Sequence, residues 1–179
     1  MLILLTGGAR SGKSALAVKL AGAAGGDVVF VATARSTDGD MAARIDRHRR
    51  ERPGHWRTLE VARDLAAAVA ASDPAGTVVI DCLSVWTANA MATAAPEEVE
   101  READATAVVA ASRPGLTLVV TNEVGMGVHP STELGRNYRD VLGRVNATWS
   151  RASEHAYLIV AGRALALAGT DELVDQIRG

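Results

Sequence analysis

Gly7, Gly8, Ala9, Arg10, Ser11, Gly12, Lys13 and Ser14 spell the pattern G-x-x-x-x-G-K-S/T directly after the apolar run Leu2-Ile3-Leu4-Leu5. Those residue types at that spacing make a phosphate cradle. Glycines let several backbone N–H groups converge on phosphate oxygens, a lysine places a compact cation at the terminal phosphates, and a serine hydroxyl can ligate Mg²⁺. Lys13 and Lys19 are the only lysines among 19 basic residues. A chain that otherwise uses arginine keeps a point charge where a phosphate would take one. The expectation is a nucleoside triphosphate held by all eight residues, with Lys13 acting on the transferring phosphate.

Such a loop calls for a carboxylate at the end of a neighbouring strand to hold Mg²⁺. Asp81 closes the run Thr77-Val78-Val79-Ile80, and Glu123 follows Leu118-Val119-Val120-Thr121-Asn122. Asp81 has the better form, so Ser14 and Asp81 are the expected metal residues; a solvated strand end or a helix cap is the alternative for each acid. Cys82 stands where a second acid would activate water, which speaks against a motor ATPase. No N-K-x-D stretch occurs, which speaks against a signalling GTPase.

A second unusual stretch covers residues 40–53. Placed on a helix, Met41, Ile45, His48 and Arg52 share a face at three- and four-residue spacings, with Arg44 beside them. Three readings stand side by side. The arginines can form a solvated face, they can bind nucleic acid, or they can surround His48 as a nucleophile. In the third, a neutral imidazole attacks phosphorus while guanidinium groups offset charge on the leaving pyrophosphate and favour the neutral imidazole.

The elements that must position these groups follow from an α/β pattern. Strands are expected at residues 2–6, 28–32, 57–60, 77–81, 116–122 and 156–160. Helices are expected at 13–23, 40–50, 62–71, after Cys82, at 97–112 and at 134–153. Alternating strands and helices predict a mostly parallel sheet with flanking helices, the architecture of a RecA-like phosphate-loop NTPase, formed as one domain over residues 1–179. Ligands of such sheets sit beyond the carboxyl ends of the strands, which puts the loop, the region after Ala32, Asp81 and Asn122-Glu123 on one rim. Residues 91–102, alanine-rich and then acidic, read as an exposed crossover.

A 48% hydrophobic content and a net charge of −2 over 179 residues describe an ordinary globular protein. That charge balance argues against bulk attraction to nucleic acid. The single Cys82 excludes an internal disulfide and a cysteine zinc site, and reads as a buried, inert thiol. No apolar run reaches the length of a membrane span, and the start lacks a basic leader region, so a cytoplasmic enzyme is expected.

Taken together, the motifs resemble the bifunctional adenosylcobinamide kinase/adenosylcobinamide-phosphate guanylyltransferases of cobalamin biosynthesis. The resemblance runs through TGGARSGKS at 6–14, ATA at 32–34, MAARIDRHRRERPGHWRTLE at 41–60, DCLSVWTANAM at 81–91, TNEVGMGVHP at 121–130 and GRNYRDVLGRVN at 135–146. The most specific parts are R-I-x-x-H-R/K-x-x-R-P-x-x-W and T-N-E-V-G-x-G. It departs at residues 162–167, where the usual G-I/L-P-x-x-L/I ending is missing.

The resemblance implies two reactions. ATP or GTP phosphorylates the aminopropanol hydroxyl of adenosylcobinamide; GTP then guanylylates His48, and GMP passes to the new phosphate to give adenosylcobinamide-GDP. It also implies nucleotide contacts at Ala32, Thr33, Ala34, Arg49, Arg50, Glu51, Arg52, Glu60 and Asp81, a structural or substrate-positioning role for His55, and a trimer with its site near subunit boundaries. A plain small-molecule kinase that never uses His48 covalently is the alternative, and a RecA-like ATPase stimulated by nucleic acid is a further one.

Overall fold

A computed structural model describes residues 1–34, 49, 50 and 52–178. The expected helix at residues 40–50, and with it His48, lies outside the described residues apart from Arg49 and Arg50. Glu51 lies outside them too.

Seven strands form one sheet: β1 (Leu2–Thr6), β2 (Val28–Ala32), β3 (Arg57–Glu60), β4 (Thr77–Asp81), β5 (Thr117–Val120), β6 (His155–Val160) and β7 (Arg163–Leu167). Their order is β3-β2-β4-β5-β1-β6-β7. All neighbours are parallel except β6 and β7. The central parallel strands β1, β2, β4 and β5 are short apolar runs because both faces are covered, whereas the edge strand β3 is polar and partly exposed. Ile3, Leu5, Val28, Phe30, Val79, Leu118 and Val120 pack on one side with Ala17 and Ala21 of α1 (Lys13–Ala24) and with Trp56. Leu2, Leu4, Val29, Val31, Val78, Ile80 and Val119 pack on the other.

That second face is covered by α2 (Leu65–Ala70), α3 (Leu83–Met91), α4 (Pro96–Ala111) and α5 (Glu133–Ala152). Trp86 of α3 and Trp149 of α5 are the largest fully buried side chains there. These helices match the expected ones within a few residues. The exception is the stretch 91–102, which is not an exposed crossover. Pro96 opens α4 inside it, where a first-turn proline costs no hydrogen bond. Val99 is fully buried, and Glu102 takes a two-pronged bond from Arg63, at 2.9 Å from Nε and 2.5 Å from Nη2.

Two terminal elements were not expected: strand β7 and helix α6 (Thr170–Arg178). β7 returns from β6 through Ala161-Gly162, whose φ values of 49° and 77° make the two-residue turn that suits the right-handed twist of a hairpin. The strand is exposed along its whole length, with Leu165 at 61%.

Far from the strands' carboxyl ends, Arg113 ties the turn after α4 to the loop between α2 and β4. Its guanidinium is buried and donates to four carbonyls: Val69 (3.3 Å), Ser72 (3.4 Å), Asp73 (2.8 Å) and Gly76 (2.8 Å).

Candidate active site

Because β1 to β6 run the same way, their carboxyl ends Thr6, Ala32, Glu60, Asp81, Val120 and Val160 share one rim. The loop between β1 and α1 opens there. Gly7 has φ 147° and Gly12 has φ 101°, values L side chains rarely adopt, and Arg10 sits at φ 58°. Gly7 is demanded by space as well, since an added Cβ would lie 2.3 Å from the Ile159 carbonyl oxygen. Gly8 differs: a Cβ there meets nothing within 4 Å.

Lys13 is 5% exposed. Its Nζ donates to the carbonyls of Gly7 (2.8 Å) and Gly8 (2.6 Å) and to Ser11 Oγ (3.3 Å). The lysine is thus folded back inside its own loop, where an anionic phosphate can compete with these carbonyls for the ammonium. Ser14 lies beside it in the first turn of α1, half-buried, where the orphan N–H groups of the helix favour anions.

Two neighbours brace the loop. The β6–β7 turn does so through Gly162 N–H, which donates to the Ser11 carbonyl at 2.9 Å. The turn after β5 does so through Glu123 N–H, which donates to the Gly7 carbonyl at 3.1 Å.

Asp81 ends β4 and is half-buried. β5 lies between β4 and β1, so Asp81 stands one strand away from the strand that leads into the phosphate loop. Thr33 is fully buried, and its hydroxyl is committed: it accepts from Cys82 N–H and donates to the Cys82 carbonyl, both at 2.8 Å. The backbone of Thr33 donates to the Asp81 carbonyl, and its own carbonyl accepts from Asn89. Thr33 therefore locks the ends of β2 and β4 together, and half-buried Ala32 and Ala34 flank it. Cys82 is half-buried rather than buried, with Sγ 3.0 Å from Ser84 Oγ. Tyr138 of α5 donates to the Ser84 carbonyl at 3.0 Å, and burial, with Cys82 nearby, pushes its phenol up to about 12.

On the β3 side, Arg49 Nη2 meets Glu60 Oε1 at 2.7 Å with both side chains exposed. The Arg52 guanidinium stacks 3.6 Å from the Phe30 ring centroid, and Nη1 reaches Thr58 Oγ1 at 3.4 Å. Arg50 and His55 are exposed. Glu60 with Arg49, Thr33, Asp81 and the loop thus lie along one rim, while the Arg52 guanidinium sits two residues back from it, over Phe30 and beside Thr58. The sequence reading missed Ala161-Gly162 and Asn146 as supports. The first had only a weak signal, a glycine just after the expected strand at 156–160; the second had none beyond a polar residue in a helix.

Among the described residues no helix is long and apolar enough to cross a membrane, and no three His, Cys, Asp or Glu side chains group as metal ligands.

Comparison with known proteins places the chain in a family. The pattern of the family described as cobinamide kinase / cobinamide phosphate guanyltransferase matches residues 3–167. The bifunctional adenosylcobalamin biosynthesis protein CobP of Pseudomonas aeruginosa is 40% identical over 167 residues, 93% of this chain and 96% of its own. The bifunctional adenosylcobalamin biosynthesis proteins CobU of Salmonella typhimurium and Escherichia coli are each 38% identical over 176 residues, 90% of this chain and 97% of theirs. With its phosphate loop, its parallel sheet and this similarity along nearly its whole length, the chain belongs to the cobinamide kinase / cobinamide phosphate guanyltransferase family.

Proposed function

We propose that the chain performs both reactions named for its family on one triphosphate grip, in adenosylcobalamin biosynthesis. It phosphorylates cobinamide, in its adenosyl form, from ATP or GTP, and then transfers GMP from GTP to the product phosphate. The observation that carries the reading is Lys13, buried in a formed phosphate loop and held there by carbonyls a phosphate can displace.

Held by its tail, a triphosphate offers two electrophiles. In the kinase step the substrate hydroxyl attacks Pγ: an O–P bond forms, the bond from Pγ to the nucleoside diphosphate breaks, and the hydroxyl proton leaves to solvent or a base. In the transferase step an imidazole nitrogen of His48 attacks Pα and pyrophosphate leaves. The substrate phosphate oxygen then attacks the same phosphorus, releasing His48 and forming the diphosphate link. Covalent catalysis divides one hard displacement into two. Lys13 and the loop N–H groups neutralise the leaving oxygens in each. Arg49, Arg50 and Arg52 supply positive charge toward Pα, and Glu60 with Ala32–Ala34 frame the nucleoside side.

The Ser14 hydroxyl and the Asp81 carboxylate are hard oxygen donors on one rim, half-buried and open to water and phosphate oxygens. That set fits Mg²⁺, which keeps several waters and shares phosphate ligands. Bound there, the ion would screen the charge of the triphosphate in both reactions. We further propose assembly into a homotrimer, for which the exposed apolar edge of β7 offers a surface; light scattering after gel filtration reads it directly.

The test uses GTP labelled at the α-phosphate, with Mg²⁺, followed by denaturation. Acid-labile, alkali-stable label on the protein is expected, absent in His48→Asn and abolished by EDTA. Label from γ-labelled ATP should appear in cobinamide with the wild type and with His48→Asn alike. Retained protein labelling in His48→Asn would remove His48 as the nucleophile; γ-transfer without any protein label would leave a plain kinase.

A further inference from the structure

We infer that Asn146 is a positioning residue for the phosphate loop, acting through the turn of residues 121–123; the inference deepens the proposed function and rests on it for its kinetic arm. Asn146 lies in α5, among Val141, Leu142, Val145 and Trp149, which pack that helix on the sheet. Its amide closes the end of β5. Asn146 Oδ1 accepts from Thr121 Oγ1 at 2.6 Å, and Asn146 Nδ2 donates to the Asn122 carbonyl at 3.0 Å. The amide's orientation is forced, because a carbonyl can only accept and so must face the NH₂ group.

What this amide holds is the segment that leaves β5 and runs beside the phosphate loop. Thr121, fully buried, donates its N–H to Leu5 of β1 at 3.0 Å. Two residues later, Glu123 N–H donates to the Gly7 carbonyl at 3.1 Å. That same oxygen accepts from Lys13 Nζ at 2.8 Å. When a triphosphate draws the Lys13 ammonium onto its oxygens, the Glu123 N–H is the described bond left holding the Gly7 carbonyl. Gly7 has no room for a side chain on that flank, since an added Cβ would run into the Ile159 carbonyl. A shift of the 121–123 turn is therefore passed into the loop that sets Lys13 against the transferring phosphorus. A displacement of this kind acts on the transition state more than on uniform binding, which the loop N–H groups still supply.

Asn146→Asp keeps the shape and the acceptor for Thr121 but sets an oxygen against the Asn122 carbonyl. Thr121→Val removes the other end of the link, and Thr121→Ser restores its hydroxyl. In Asn146→Asp and Thr121→Val, single-turnover rates for phosphorylation and guanylylation should fall together, each by roughly tenfold, a single lost or opposed buried hydrogen bond. KM for the nucleotide should change less than about threefold, and Thr121→Ser should recover most of the loss. Arg113→Met, which loosens the fold at the opposite end of the sheet, is the control for mere destabilisation. Amide hydrogen exchange reads the same link without any substrate: relative to the core strands, residues 6–13 and 121–125 should exchange faster in Asn146→Asp, whereas Arg113→Met should leave that ratio unchanged. Unchanged exchange in 6–13, a fall in only one of the two reactions, or wild-type rates per folded molecule would each overturn the inference. Absence of both activities in the wild type would instead overturn the proposed function, and the exchange comparison would still decide the role of Asn146.

Discussion

Replacing Arg113 by methionine keeps a long apolar stem and removes four hydrogen bonds to main-chain carbonyls. The cost follows from which carbonyls keep another partner. Val69 still accepts from Ser72 N–H at 3.2 Å and Asp73 from Gly76 N–H at 3.1 Å. Arg113 is the described partner of the Ser72 and Gly76 carbonyls, so two acceptors lose their protein donor, one on buried Ser72 and one on half-buried Gly76. At about 1–2 kcal/mol for each, the loss is roughly 2–4 kcal/mol. The relief of desolvation, which lowers the Arg113 pKa, keeps the figure from being larger. For a chain of this length that corresponds to a fall in Tm of roughly 4–16 °C. Urea unfolding with the wild type, Arg113→Met and Arg113→Lys is the assay, and Lys should fall between because its ammonium cannot span all four oxygens. Turnover at 25 °C should stay at the wild-type level, since this corner lies at the amino ends of β4 and β5. A loss below about 0.5 kcal/mol would refute the claim that these carbonyls depend on Arg113.

Gly7→Ala should leave a folded protein whose kinase and transferase rates both drop by about a hundredfold or more, because the new methyl cannot share space with the Ile159 carbonyl and the loop must move; normal turnover of either nucleotide would contradict the close approach. Tyr138 gives a pH signature. Its pKa is raised from 10.0 to about 12 chiefly by burial, so the folded state holds the phenolic proton more tightly than the unfolded chain. The stability it contributes is whole below pH 10 and is lost as pH climbs from 10 toward 12. Chemical unfolding between pH 9 and 11.5 should show a steeper decline for the wild type than for Tyr138→Phe, and parallel curves would rule out the buried neutral phenol.

Legibility in the sequence varied with how local the cause was. The phosphate loop could be read outright, since its function rests on eight consecutive residues and the strand before them. β1 to β4 were placed to the residue because each is a four- or five-residue run closed by turn residues. β5 stops earlier than its apolar pattern suggests: from Thr121 onward the chain leaves β4, drawn by the Asn146 amide and the Gly7 carbonyl. The stretch 91–102 misled because alanines carry no clear pattern, yet Val99 and Ala103 are buried against the helices around them. β7 and α6 escaped because alternating Ala and Leu in an exposed strand resembles any weak run.

By itself the sequence determined the chemistry on offer: a grip for a triphosphate, a strand-end acid, and a histidine among arginines. Contiguous residues suffice for that, because backbone N–H groups and side chains in one loop act together without help from afar. Only the tertiary structure decided what stands beside what. The order β4-β5-β1 brings the chain after β5 against the phosphate loop, where Glu123 N–H meets the Gly7 carbonyl, and a hairpin from the far end of the chain braces Ser11. Asn146, 24 residues beyond the carbonyl it holds, gains its meaning from that packing, because a hydrogen bond depends on distance in space and leaves no period in the sequence.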